Sequence, residues 1–219
     1  MADDVWGREV LTQPVAIKIA ADHANALGAA KYFDAGDVQA NGFQVVEDDW
    51  TGDTYTETGA SYMGFSVSAL LASGVADEPR YGVAFTGDGS FMMNPQILID
   101  GVEHGVRGMI VLFDNRRMAA ITGLQHAQYG EEFRTNDQVA VDYVQLASSV
   151  AGVKAVFAGY DQDELRKALD EAGKYDGLSL VHVPVYAGTD EIGGMGAYGS
   201  WNVGNWVDDV QARYLKQKI

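Results

Sequence analysis

The chain has 219 residues, a formal net charge of −16 at pH 7, an apolar content of 47% and no cysteine. The size and composition suit one globular domain with extensions. The negative charge argues against nucleic acid or an anionic membrane surface as partners, and an anionic ligand would need a local cation. Without cysteine the chain forms no disulfide, Fe–S cluster or thiol nucleophile. No apolar run approaches the about 18 residues of a membrane span, and we expect no signal peptide and a cytoplasmic protein.

The N-terminal part of the chain predicts a strand, a helix and a long connection. Residues 1–14 are a polar lead-in, and the apolar run 15–20 predicts the first strand. His23 would then lie in a loop at the carboxyl end of that strand. Helical spacing follows through residues 27–33. Residues 34–58 are rich in Asp, Gly and Thr and predict a long loop, which is usually functional or poorly ordered.

The middle of the chain predicts a β-loop-α-β unit. The small, apolar segment 59–76 predicts a buried helix before it, after a glycine turn. Residues 81–86 and 109–113 are short, β-branched runs and predict buried parallel strands. Between them a helix is predicted over residues 94–104, with Asn94 as its N-cap and Pro95 at its first position. The crossover should be right-handed.

The C-terminal part continues the alternation of strands and helices. It predicts an amphipathic helix over residues 136–150, a strand over 153–157, a capped helix over 161–174 and a last strand over 178–185. The fold class predicted is therefore α/β, a doubly wound, mostly parallel sheet with helices on both faces, over residues 15–186. Residues 187–219 are rich in Gly and Trp and predict a lid or a tail that contacts a partner.

Two polar residues follow the carboxyl ends of the central strands. Asp88, within the sequence Gly87-Asp88-Gly89-Ser90, follows the first strand, and Asn115 follows the second. Ligands of open α/β sheets bind at this edge. Oxygen donors without His or Cys suit Mg²⁺ or Ca²⁺, while Gly89 allows close backbone approach and Ser90 can donate to an anion. The pattern indicates a cation that bridges the protein to a diphosphate; turn formation at strand ends is the alternative.

These residues resemble a known signature. Residues 87–90 together with Asp114-Asn115 are similar to the Gly-Asp-Gly…Asn-Asn motif of thiamine-diphosphate enzymes, with the spacing of the acetolactate synthase group. Residues 57–65 resemble the segment that precedes the motif in that group. Residues 109–125 and 198–204 resemble most the trihydroxycyclohexanedione hydrolases of inositol breakdown. The resemblance implies the thiamine-diphosphate-binding fold, with thiamine diphosphate and Mg²⁺ as cofactors.

The resemblance also implies roles for individual residues. Asp88, Asn115 and the backbone carbonyl of Arg117 would bind Mg²⁺. The diphosphate would lie against the glycine-rich turn, contacted by Gly87, Gly89 and Ser90.

Further roles concern the two ends of the cofactor. Met63 would hold the cofactor bent, and the Ser61 carbonyl would accept from its aminopyrimidine. His23 matches loosely the loop that touches the diphosphate from the other side. Gln125 and His126 follow near the expected mouth of the site and are possible substrate contacts.

Two positions depart from the pattern of the family. Asp114 stands where the signature has its first Asn, although the metal-binding second position is kept. Leu124 stands where acetolactate synthases carry a specificity-determining Trp, which argues against an acetolactate synthase.

The family pairs this diphosphate-binding domain with a pyrimidine-binding domain, whose glutamate activates the cofactor. The length leads us to expect a split enzyme, in which a second subunit of an α2β2 or larger hetero-oligomer supplies that glutamate. The expected reaction cleaves or forms a C–C bond next to a carbonyl of a 2-oxo acid or an α-diketone, with cleavage favoured. The alternatives are a decarboxylase or acetolactate-synthase-type carboligase subunit and a non-catalytic, cofactor-binding regulatory subunit. A two-subunit 2-oxoacid:ferredoxin oxidoreductase is disfavoured, because this chain has no cysteine for a cluster.

Overall fold

A computed structural model describes residues 1–136 and 139–194. In that part of the chain six parallel strands form one sheet in the spatial order β4-β3-β5-β6-β8-β7, and a short antiparallel hairpin precedes them. The hairpin strands are β1 (Ala2–Asp3) and β2 (Arg8–Glu9). The sheet strands are β3 (Ala30–Phe33), β4 (Thr54–Thr56), β5 (Gly82–Gly87), β6 (Gly108–Asp114), β7 (Val153–Phe157) and β8 (Leu178–Pro184).

Helices cover both faces of the sheet, as the predicted doubly wound α/β class requires. One face packs against α1 (Gln13–Ala26), α2 (Asp37–Val45) and α8 (Gln162–Gly173). The other face packs against α3 (Phe65–Gly74), the one-turn α4 (Asp88–Phe91), α5 (Ile97–Glu103) and α7 (Tyr143–Ser148). Helix α6 (Ala119–Tyr129) follows β6, and a 3₁₀ turn (Glu191–Gly193) follows β8. No helix of the described residues has the length and apolar character needed to cross a membrane.

The order of the strands creates a switch point next to the central strand. The chain leaves β3 toward β4 on one side, over the face covered by α2, and leaves β5 toward β6 on the other side, over the face covered by α5. The carboxyl ends of β3 and β5 therefore diverge and leave a crevice between them.

Three aromatic rings connect the central strands beneath this crevice. Phe33 stacks on Phe85 with ring centroids 4.3 Å apart, and Phe85 stacks on Phe113 at 6.3 Å. All three side chains are buried in the core that α1, α2 and α8 cover. The rings fix the relative positions of β3, β5 and β6, whose ends form the crevice.

Two elements predicted near the N-terminus are of the wrong type. Residues 15–20 lie in helix α1 and not in a strand, and residues 30–33, predicted as helical, form strand β3. The run 15–20 is too short for periodicity to distinguish a buried strand from a buried helix. Gly28, with φ of 63°, lies in the turn after α1 and supplies the positive φ with which helices often end.

Two further predictions are corrected in length. Residues 34–58 contain α2 and β4 and are not a long loop, and the helix predicted over 136–150 is reduced to Tyr143–Ser148. The helix predicted over 94–104 starts only at Ile97. The tail beyond residue 194 lies outside the described residues.

The central and C-terminal elements are otherwise confirmed. Strands β5 to β8 and helix α8 lie where the sequence predicts them, within a few residues, whereas helix α3 lies inside the predicted segment 59–76 but starts only at Phe65. The Asp161 carboxylate accepts from the Glu164 N–H at 2.9 Å, as an N-cap should. Glu164 Oε2 accepts from the N–H of Tyr160 at 2.7 Å, one residue before the position that a capping box predicts.

The aromatic stack yields a test of this architecture. Phe85→Ala should lower the free energy of unfolding by about 3–5 kcal/mol, because it empties a fully buried ring position between two others. Phe43→Ala, at a half-exposed position of α2, is the matched control and should cost much less. Denaturant unfolding of the metal-free chain measures both, and equal costs would contradict the proposed packing.

Candidate functional site

A cavity of about 290 Å³ occupies the crevice at the carboxyl edge of the sheet. Segments from four parts of the chain line it: residues 35–37 after β3, residues 61 and 63 before α3, residues 87–90 after β5, and residues 117–121 after β6. The crevice thus brings together Ser61, Met63, Gly87, Asp88, Gly89, Ser90 and Arg117, all of which the sequence singles out. Asn115 lies next to it, in contact with Asp37.

Asp88 is a buried carboxylate in an acidic environment. Its residue is only 7% exposed. Burial raises the pKa of Asp88 well above its usual range, and the negative charges of Asp114 and Asp37 raise it further. A bound cation would reverse this effect and keep the carboxylate ionised. Asp88 therefore has the environment expected of a cation ligand.

Asn115 is held from both sides of its amide. Its Nδ2 donates to Asp37 Oδ2 at 3.0 Å, and its Oδ1 accepts from the Arg117 N–H at 3.1 Å. Gln13 Nε2 donates to the same oxygen of Asp37 at 2.5 Å. Burial raises the pKa of the Asp37 carboxyl, while the bonds from Gln13 and Asn115 oppose that shift. Sequence reasoning missed Asp37, although its place directly after Gly36 at a strand end was a signal.

A third acid, Asp34, connects the segments that surround the crevice. It is fully buried at the end of β3, and burial raises its pKa against the pull of four hydrogen bonds. The donors are the Gly64 N–H at 2.8 Å, the Ala35 N–H at 3.0 Å, the Ser66 hydroxyl at 2.8 Å and the Thr86 hydroxyl at 2.9 Å. Asp34 therefore joins the end of β3, the start of α3 and the end of β5.

The Gly89 backbone and the Met63 side chain lie close together inside the crevice. A Cβ added to Gly89 would lie 3.3 Å from the Met63 Cε atom, tighter than ordinary contact. A larger residue at position 89 would therefore displace Met63 or close the crevice. Ser61, next to the same wall, has a φ of 52°, which is uncommon for a residue with a side chain. These features fit a ligand that approaches the backbone at Gly89 and lies against Met63.

The two arginines after Asn115 direct their guanidinium groups away from Asp88. Arg117 Nε donates to the Ala187 carbonyl at 2.9 Å, and its terminal nitrogen pairs with Glu132. Arg116 has a φ of 49° and lies over the Trp6 ring, 4.7 Å from the centroid. The arginines therefore do not neutralise the acids of the crevice, and a divalent cation is the charge that would allow an anionic ligand to bind there.

His23 does not reach the crevice, and its predicted position in a loop is wrong. It lies within helix α1 and faces α8, with its Nδ1 3.5 Å from Asp170. Burial lowers its pKa, and the charge of Asp170 counteracts this. The loop that faces residues 87–90 from the other side is instead residues 35–37.

Gln125 and His126 also lie away from the lining of the crevice. Gln125 Oε1 accepts from the Phe133 N–H at 2.7 Å, and its Nε2 donates to the Phe133 carbonyl at 3.3 Å. His126 Nε2 is 3.4 Å from Glu132. Both side chains hold the segment after α6 against that helix. The α6 residues that line the crevice are residues 119–121, one turn earlier.

The departure at Asp114 has a structural partner. Its Oδ2 is 2.9 Å from His182 Nε2 on β8, and its Oδ1 accepts from the Arg116 N–H at 3.2 Å. An acid at this buried position is therefore matched by a histidine on the neighbouring strand. His182 therefore has a structural role on β8.

Comparison with known proteins adds independent information. A family profile described as thiamine pyrophosphate enzyme, C-terminal TPP binding domain, matches residues 34–183. The chain is 33% identical over 198 residues to the 3D-(3,5/4)-trihydroxycyclohexane-1,2-dione hydrolase of Lacticaseibacillus casei, covering 87% of this chain and 29% of the relative. For the protein of the same name from Bacillus subtilis (strain 168), identity is 34% over 153 residues, covering 67% and 23%. The chain thus spans less than a third of these curated relatives.

Among solved structures, the Rhodococcus jostii RHA1 thiamine diphosphate-dependent 4-hydroxybenzoylformate decarboxylase is similar to this chain with a TM-score of 0.72. The match covers 83% of this chain and 34% of that one, at 18% sequence identity. At this identity the likeness shows the fold alone.

The burial of Asp88 predicts a conflict between stability and binding. Its folded-state pKa is raised, so its contribution to stability is full at low pH and is lost as pH rises through the folded-state pKa. Asp88→Asn removes this loss and should raise the Tm of the metal-free chain at pH 7.5 by about 2–4 °C per kcal/mol gained. The difference from wild type should shrink as pH falls toward 4. Thermal unfolding in EDTA measures this, and a variant less stable than wild type at pH 7.5 would contradict it.

Proposed function

Because the chain belongs to the thiamine pyrophosphate enzyme family, through that family's C-terminal TPP binding domain, we propose that its crevice binds thiamine diphosphate together with Mg²⁺. The observation that carries this proposal is Asp88, a buried carboxylate surrounded by other acids beside a glycine that leaves the backbone open. Such a site favours a divalent cation, and the cation in turn allows a diphosphate to bind to an acidic chain.

Different residues of the crevice would bind the metal ion and the diphosphate. Asp88, Asn115 and the Arg117 carbonyl would hold the metal, and Gly89 and Ser90 would contact the diphosphate. Oxygen donors of this kind suit Mg²⁺, which keeps phosphate oxygens and water in its shell.

The other end of the cofactor would lie against the segment before α3. Met63 would support its bent shape, and the Ser61 carbonyl would accept from its aminopyrimidine. The bound cofactor supplies an electron sink for the carbanion formed when a C–C bond next to a carbonyl breaks. The protein orients that cofactor and excludes water from it.

The proposed substrate is an α-diketone, with cleavage as the reaction. The names of the relatives that share a third of their aligned residues with this chain describe hydrolysis of a cyclic 1,2-dione. The side of the crevice formed by Met118 and Ile121 is apolar and suits a carbon skeleton near the reacting carbonyls. The lack of cysteine accords with a cytoplasmic enzyme.

We further propose that a second subunit completes the active site in a hetero-oligomer. Among the described residues that line the crevice the carboxylates are Asp37 and Asp88, and none is a glutamate that could serve the aminopyrimidine end. Large apolar side chains are exposed around the crevice, and exposed apolar patches are typical of protein interfaces. They are Tyr62, Met92, Met93, Met118 and Ile121.

Calorimetric titration of thiamine diphosphate into the chain tests the binding proposal. Binding should require Mg²⁺ and disappear in EDTA. Asp88→Ala should weaken binding by at least about 100-fold, since loss of a group outside the ligand shell alone costs about 10–100-fold. Asp163→Ala, which removes one charge from the exposed start of α8, is the control and should bind as wild type. Equal affinity with and without Mg²⁺ would refute the metal-diphosphate site.

Reconstitution tests the split active site. The chain with thiamine diphosphate and Mg²⁺ should show no turnover of 1,2-diones or 2-oxo acids until a subunit with a pyrimidine-binding domain is added. Changing the activating glutamate of that subunit to Gln should abolish turnover without dissociating the two subunits. Full activity of this chain alone would exclude the second subunit, and turnover restricted to 2-oxo acids would exclude the diketone.

A further inference from the structure

A row of four hydrogen-bonded polar side chains runs from Asn41 in α2, through Gln13 and Asp37, to Asn115. Asn41 Nδ2 donates to Gln13 Oε1 at 2.5 Å, Gln13 Nε2 donates to Asp37 Oδ2 at 2.5 Å, and Asn115 Nδ2 donates to the same oxygen at 3.0 Å. Gln13, Asn41 and Asn115 are buried. The row ends on Asn115, a proposed metal ligand.

The chemistry of the row gives each amide one orientation. An ionised carboxylate only accepts hydrogen bonds, so both Gln13 and Asn115 must turn their NH₂ groups toward Asp37. The Gln13 oxygen then faces Asn41, whose NH₂ group donates to it. The Asn115 oxygen is left on the other side, where it accepts from the Arg117 N–H at 3.1 Å.

We propose that Asp37 is a positioning residue that selects which atom of Asn115 faces the metal. The inference rests on the proposed function and deepens it. An amide oxygen can bind Mg²⁺, whereas an amide NH₂ group in the same place would repel the cation. Asp37 holds the NH₂ group away, and so leaves the oxygen as the atom available to the metal.

A carboxylate performs this selection better than an amide would. An amide side chain at position 37 could either donate or accept, and the Asn115 amide could then adopt both orientations. The negative charge of Asp37 also adds to the attraction between the acidic crevice and a divalent cation. Asp37 thus acts on the metal through Asn115 and not as a ligand itself.

The test exchanges the two partners of the Asp37–Asn115 pair. Asp37→Asn should weaken Mn²⁺ binding by about 10–100-fold, as loss of a group that orients a metal ligand does. The double variant Asp37→Asn/Asn115→Asp reverses the hydrogen bonds of the row. The new NH₂ group at position 37 donates to the new carboxylate at position 115 and to the Gln13 oxygen, while the amides of Gln13 and Asn41 turn over to match. That carboxylate has an oxygen in either orientation, so the double variant should recover most of the lost affinity.

Free Mn²⁺ measured by electron paramagnetic resonance gives the affinity of the full chain, and metal-free thermal unfolding runs in parallel. Asp22→Asn, at an exposed position of α1, is the matched control for the lost charge and should bind as wild type. Wild-type affinity in Asp37→Asn, or no recovery in the double variant, would overturn the inference alone. If Asp37→Asn does not fold, the double variant alone provides the test. Mn²⁺ binding by the double variant would then support the inference, and loss of Mn²⁺ binding would contradict it. A wild-type chain that binds neither Mn²⁺ nor thiamine diphosphate would refute the proposed function itself.

Discussion

Parallel pairing of β5 between β3 and β6 is the constraint on which the site depends. Because all three strands run the same way, their carboxyl ends meet at one edge, and each end carries an acid: Asp34, Asp88 and Asp114. The chain turns away in opposite directions after β3 and β5, which opens the crevice between these acids. The stacked rings of Phe33, Phe85 and Phe113 hold that register from beneath.

The acids at this edge are stabilised in different ways. Asp34 has four hydrogen bonds and Asp114 has a histidine, so both serve the structure. Asp88 is surrounded by further negative charge, which makes it costly without a cation. Binding sites often trade stability for binding, and the electrostatic cost at Asp88 supports its proposed role as a metal ligand. Asp37 differs from both kinds of acid. It accepts two hydrogen bonds, from Gln13 and Asn115, and it orients the amide groups that donate them.

The sequence predicted the centre of the molecule better than its edges. The two central strands and the glycine-rich turn carry strong local signals, and the family signature covers them. Residues 15–20 were ambiguous because a six-residue apolar run suits a buried helix as well as a strand. That error placed His23 in a loop and hid the true facing loop at residues 35–37. The place of Asp37 after Gly36 was a local signal, but its contacts could not be predicted, because its partners Gln13 and Asn115 are distant in sequence and meet only in the fold.

The central claim is that the crevice at β5 and β6 is a metal-diphosphate anchor for thiamine diphosphate. A crystal structure of the chain grown with Mg²⁺ and thiamine diphosphate tests it most directly. The predicted result is a metal ion about 2.1 Å from Asp88 and from the Asn115 Oδ1 atom, with the diphosphate beside Gly89. A cofactor bound elsewhere on the chain, or a metal held without Asp88 and Asn115, would contradict the claim.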